Sequence, residues 1–112
     1  MHYIGSITID AQLLAATGIL PNEFVHVHNL SNAQTWQTYV IPGPAGKGDV
    51  CLNGPPARVF QPGDLVIIMC YRWMSDEELV HHAPRIVFVD GRNQITEVRI
   101  EETAHTSEPP PK

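Results

Sequence analysis

The sequence predicts a mainly β fold with a single core: a small β-barrel, closed or nearly closed, carrying two short helices. Three observations predict it. About six short runs have strand character and are set apart by Gly, Pro, Asn and Asp turns. Only two segments read as helix, each about two turns long. And with 112 residues, 43% of them hydrophobic, the chain has room for one core, so closing the sheet on itself is the direct way to remove exposed strand edges. A β-sandwich satisfies the same pattern and stays open at this level.

The elements follow in order. A first strand covers Tyr3 to Ile9 within MHYIGSITID, interrupted by Gly5-Ser6. Asp10 is placed to cap a helix over Ala11 to Thr17, which Gly18 ends. EFVHVHN alternates as a strand, LSNAQ reads as a turn and TWQTYVI as the returning strand, so residues 23–41 form a hairpin. PGPAGKGD is a loop and VCLN a short strand; NGPPARVFQPGD, dense in Pro and Gly, ends in a turn that launches LVIIMCY, the most apolar run and an expected buried strand. In SDEEL, Ser75 and Glu78 have the spacing of a capping box, opening a second helix that Pro84 stops. RIVFVD and QITEVRIE make a second hairpin across GRN. Residues 1–100 are read as the single domain, and 101–112, EETAHTSEPPPK, as a disordered tail without apolar period.

Composition excludes several functions. The formal charge is −5 and the seven Lys and Arg residues are scattered singly, which leaves no basic stripe for nucleic acid. No apolar run approaches the ~20 residues that span a bilayer, and the opening residues lack the basic and apolar regions of a secretion signal, so no membrane partner and a cytoplasmic location are expected. Cys51 and Cys70 sit in apolar strand-like runs, where a free cysteine is ordinarily a small core residue. His26 and His28 share one side of a strand and His81-His82 follow a helix, but no cysteine or carboxylate completes either pair at ligand spacing; no metal is expected.

The informative feature is Gly5-Ser6. A glycine inside a strand pattern marks a bend or a close backbone approach. It also leaves its own carbonyl unshielded, so Gly5 and Ser6 are alternatively the two sides of a reactive peptide bond. Pattern alone does not decide between these.

YIGSITID, the following LLAATGILPNE, Thr38-Tyr39, Asn53-Gly54, PGDLVII and the SDEE helix stand in the order and spacing found in aspartate 1-decarboxylase. The chain resembles that pyruvoyl-dependent family over roughly residues 2 to 98. The resemblance implies a double-psi β-barrel, assembled as a homotetramer with active sites between subunits. It implies decarboxylation of L-aspartate, or a related small amino acid, to supply β-alanine for pantothenate. It leaves open whether a maturation factor or partner chain is needed.

The same resemblance assigns residues. The Ser6 hydroxyl attacks the Gly5 carbonyl through an oxyanion to give an ester, β-elimination follows, and hydrolysis leaves a pyruvoyl group derived from Ser6 as cofactor. Its ketone condenses with the substrate amine as a Schiff base and accepts the electron pair released with CO₂. Thr38 would stabilise the oxyanion during cleavage and Tyr39 would return the proton after decarboxylation. Tyr3, Asn53, Gly54 and His28 would line the substrate site. Read without the resemblance, Thr38 and Tyr39 are strand residues and Asn53-Gly54 a turn.

Three positions depart from the family pattern. The family has a further N-terminal barrel strand before this Tyr-x-Gly-Ser, whereas the present sequence starts at Met1, so either the sequence is clipped upstream or another segment completes that edge. Thr35 occupies the place of an arginine that grips the substrate carboxylate, and a neutral hydroxyl cannot make that bidentate contact. Pro55-Pro56 replace small residues and remove two N–H donors; Arg58 is the nearby cation, more naturally read as exposed. These departures motivate the alternative function, a non-catalytic or repurposed barrel acting as a subunit or binding module.

Overall fold

A computed structural model describes residues 4–100 of the chain, so Tyr3 and the 101–112 tail lie outside the described residues. The described chain is mainly β, with seven strands, two α-helices and one 3₁₀ turn. Strands β1 (Ser6–Asp10), β2 (Phe24–Asn29), β3 (Thr35–Gly43), β4 (Val50–Asn53) and β5 (Val66–Met69) form one curled sheet in the order β4-β1-β3-β2-β5. Strands β6 (Arg85–Val89) and β7 (Ile95–Ile100) make a separate antiparallel hairpin. Helices α1 (Ala11–Thr17) and α2 (Asp76–Val80) are the two brief helices the sequence announces. None of the described helices is long and apolar enough to cross a membrane.

The connection that matters for the site is the crossover from β1 to β3. These strands are parallel, a pairing that a tight turn cannot make, and α1 with β2 supplies the return path. β1 is thereby inserted between β3 and β4, which are consecutive in sequence, and pairs with β4 in the antiparallel sense.

Local chemistry explains each boundary. Asp10 ends β1 and caps α1 by accepting the Gln12 N–H at 2.8 Å. Gly18, at φ +81°, takes the left-handed residue that closes α1, donating its N–H back to the Leu14 carbonyl at 2.9 Å. Asn29 ends β2: its Oδ1 accepts from Ser31 N, and its Nδ2 reaches Val59 O at 3.1 Å and Asp64 Oδ2 at 2.7 Å. The PGD turn is thus tied to the β2–β3 turn, and Asp64 is held below its ordinary pKa by the Gln61 N–H and then by Asn29. Ser75 and Glu78 form both bonds of the capping box that opens α2.

The core is small: Ile7, Ile9, Leu13, Leu14, Val25, Val27, Val40 and Phe60 are buried. Each contributes about 1.5–3 kcal/mol by leaving water. Two expectations about burial are corrected. LVIIMCY is half-buried, because β5 is a sheet edge with one packed face: Val66, Ile68 and Cys70 pack on the core while Leu65, Ile67 and Tyr71 are exposed. Cys51 is exposed, since β4 is the opposite edge and residue 51 points away from the core. Cys70 is half-buried, and burial together with a hydrogen bond to Glu23 pushes its thiol up to about 11.

Candidate active site

β1 enters the sheet through a bend at Gly5, whose left-handed φ of +75° favours glycine. A Cβ there would collide with the Asn53 carbonyl oxygen and stand 2.9 Å from Pro56 Cδ. Ahead of the bend, the Trp36 indole N–H donates to the Ile4 carbonyl at 2.8 Å, fixing the incoming chain. The Gly5-Ser6 peptide is therefore held on both sides, by β4 with its 3₁₀ turn and by β3.

Ser6 is the first residue of β1 and 2% exposed. It pairs with Asn53 on β4, and register places their side chains on one face. Asn53 Nδ2 donates to Ser6 Oγ at 3.0 Å and to Thr8 Oγ1 at 3.0 Å. On the other flank, the β1–β3 register begins at Ile7–Val40. Continued one step back within β1, that register sets Ser6 level with Tyr39. Tyr39 is half-buried and shares the Ser6 face. Thr38 points to the opposite, packed face, fully buried, with no hydrogen-bond partner for its Oγ1 among the described residues. An unpaired buried hydroxyl costs about 1–3 kcal/mol. Thr38 thus keeps a buried donor without a partner on β3, the strand beside β1.

Other expected residues lie elsewhere. His28 and Thr35 pair across β2 and β3, on the outer face shared with Tyr39. They stand four residues along β3 from Tyr39, roughly 13 Å away, so one chain does not bring them to Ser6. Gly54 leads into the 3₁₀ turn Pro55–Arg58. Pro55 and Pro56 open that turn, where the N–H groups would have no intrahelical partner anyway, so the double proline costs the backbone no bond and buries Pro56 against the bend. Arg58 is exposed at an open cleft of about 540 Å³ lined by Trp36, Gly54, Pro55 and Val59. Among the described residues no three His, Cys, Asp or Glu side chains gather as a metal site.

The far end of β1 is anchored as firmly. Asp10 is 1% exposed, and its carboxylate accepts from Gln12 N at 2.8 Å, Gly46 N at 3.0 Å and Gly48 N at 2.7 Å. The Gly48 bond most of all, and those from Gln12 and Gly46, hold its pKa below the ordinary carboxylate value against the opposing effect of burial. Because the folded pKa is lowered, this stabilisation is complete above the unfolded pKa and is lost as pH falls through the folded one. Asp10→Asn is expected to melt at lower temperature than wild type at neutral pH. The gap between them should close under acid, where protonated Asp10 itself becomes a neutral side chain; thermal melts across pH check this.

The family model for aspartate decarboxylase matches residues 1–96. The aspartate 1-decarboxylase of Moorella thermoacetica is 52% identical over 99 residues, covering 88% of this chain and 77% of that protein. That of Pelotomaculum thermopropionicum is 54% identical over 99 residues, 88% of this chain and 75% of that protein. That of Listeria monocytogenes is 49% identical over 107 residues, 96% of this chain and 84% of that protein. The chain belongs to the aspartate decarboxylase family.

Family membership reads the curled sheet, with β1 inserted between β3 and β4, as part of a double-psi barrel, and it places the chain among carboxy-lyases. Within this aspartate decarboxylase fold, sequence reasoning overlooked three side chains around the bend: Thr8, Trp36 and Cys51. A signal for Thr8 was present, because residues 6 and 8 of a strand share a face. Trp36 had none, since its bond to Ile4 spans 32 positions.

Proposed function

We propose that the chain is a self-processing, pyruvoyl-dependent aspartate 1-decarboxylase, converting L-aspartate to β-alanine and CO₂. The observation that supports this most is the Gly5-Ser6 bend: a left-handed glycine followed by a buried serine whose Oγ is held by Asn53, with the unpaired Thr38 hydroxyl on the neighbouring strand β3. Nothing in the arrangement favours the non-catalytic alternative.

The chain's own residues balance the maturation step. Ser6 Oγ bonds to the Gly5 carbonyl carbon, the carbon–nitrogen bond breaks, and the hydroxyl proton ends on the freed nitrogen. Thr38 donates to the oxyanion formed on the way, which repays its unpaired burial in the resting fold. Loss of the Ser6 α-proton expels the Gly5 carboxylate, and water then replaces nitrogen, releasing ammonia. No oxidant or reductant is needed. The fit for a pyruvoyl group is therefore good at residue 6, and when present it supplies a ketone that takes an amine and accepts the electron pair left by departing CO₂.

In turnover, Asn53 and Gly54 border the substrate beside residue 6. Tyr39, level with residue 6 on the same face, holds the phenolic proton that goes back to the substrate carbon. Tyr39→Phe is expected to mature normally yet lose turnover by about 10²–10⁴-fold, the usual worth of a placed acid. Comparing extent of cleavage with initial rate of CO₂ release checks this. The function itself is tested by incubating the matured protein with L-aspartate: equimolar β-alanine and CO₂ support it, and no release from aspartate or its small relatives rejects it.

The reading extends to assembly. Burial is sparse in the C-terminal half, where Leu79, Val80, Ile86, Phe88, Val98 and Ile100 are exposed, and we propose that copies of the chain cover them in a homotetramer. Such assembly would let a neighbour bring His28 and Thr35 to a site they do not reach within one chain. Both described cysteines are free, in keeping with a cytoplasmic location.

A further inference from the structure

We propose that Thr8 and Cys51 are positioning residues for self-cleavage, acting through Asn53; the inference rests on the maturation chemistry proposed above. Asn53 has one amide to spend, with two N–H donors and one acceptor oxygen. Nδ2 reaches Ser6 Oγ at 3.0 Å and Thr8 Oγ1 at 3.0 Å, and Cys51 Sγ lies 3.5 Å from Oδ1, nearer than its other acceptor, the Leu52 carbonyl at 4.0 Å. The β1–β4 register makes this a closed set, since Ser6 pairs with Asn53 and Thr8 with Cys51, all four side chains on one face.

Each partner has a distinct effect. The terminal torsion of an asparagine is broad and nearly two-fold, so the amide alone would flip readily. A thiol donates, which assigns the oxygen to the Cys51 side and leaves the N–H groups for the two hydroxyls. Thr8 then takes the second N–H and stops rotation. The Thr8 methyl lies over Gly43, in space that a Cβ at position 43 would crowd at 3.0 Å. The result is an amide whose remaining N–H points at Ser6 Oγ, holding that oxygen in one place beside the Gly5 carbonyl before attack. A flipped amide would present its oxygen instead and draw the Ser6 hydroxyl toward itself.

The test is the rate of chain cleavage, followed by intact mass on freshly purified protein, in paired variants. Thr8→Val keeps the shape and removes the hydroxyl; Thr8→Ser keeps the hydroxyl and removes the methyl. Cys51→Ala and Cys51→Ser form the matching pair. Thr8→Val is expected to slow cleavage about tenfold, equivalent to one lost hydrogen bond, with Thr8→Ser close to wild type. Cys51→Ala is expected to slow it by less, with Cys51→Ser restoring the rate. A packing role reverses the order for Thr8, making serine the worse substitute, and that order overturns the proposal. So do equal rates across all four variants in a wild type that cleaves. A wild type that never cleaves instead removes the maturation reading, and the proposal with it.

Discussion

Ser6→Ala is expected to leave the chain whole and to reduce CO₂ release from L-aspartate to the uncatalysed background. The substitution removes the only atom that can attack the Gly5 carbonyl from within the bond to be broken. It should do little else. Residue 6 is 2% exposed at the start of a strand, alanine fits that space, and the loss is one hydrogen bond from Asn53, typically about 1 kcal/mol. Size-exclusion behaviour and thermal melting should therefore stay close to wild type while cleavage and turnover both vanish. Loss of fold together with activity would point to a structural role for Ser6 instead.

Thr38→Val is expected to separate stability from maturation in opposite directions. The Thr38 hydroxyl is fully buried and unpartnered, a state that costs about 1–3 kcal/mol, and valine keeps the shape without the polar atom. The uncleaved variant should melt at higher temperature than uncleaved wild type. Its cleavage should be slower by about 10²–10³-fold, the usual effect of removing one oxyanion donor. Denaturant melts of the precursor, paired with cleavage time courses, read both. A variant that is stabilised and cleaves at the normal rate would detach Thr38 from the chemistry; a destabilised one would mean the hydroxyl has a partner in the assembled protein.

These two residues also show what was legible in the sequence. Local signals carried through wherever one side chain or one turn decides the outcome. Asp10 and Gly18 bound α1, Ser75 and Glu78 cap α2, and the alternation of EFVHVHN and TWQTYVI makes the hairpin. β3 runs further than expected, through Pro42 to Gly43, because parallel pairing with β1 continues to Asp10–Gly43. That extension depends on pairing between positions 33 apart in sequence, Ile9 with Pro42 and Asp10 with Gly43, and has no local mark.

Burial was the least legible property. LVIIMCY reads as an interior run by composition, yet β5 is an edge with only one packed face. Hydrophobicity reports that a surface will be covered, without saying whether the cover is the same chain. Cys51 failed for a related reason: its apolar neighbours suggested a core site, but strand position put its side chain on the outer face with Thr8. The site was legible in part. Gly5-Ser6 stood out as a break in a strand pattern, whereas the Asn53 amide network and the orphan hydroxyl of Thr38 exist only once β1 lies between β3 and β4.

Everything proposed for catalysis requires residue 6 to stop being a serine, and the mass of the purified, incubated protein reads that directly. The expected result is a chain that begins at residue 6, lighter by one ammonia than the same fragment bearing a serine amine, together with a complementary piece ending at Gly5. A single species of full-length mass after long incubation, or a fragment that still carries the Ser6 amine, would contradict it.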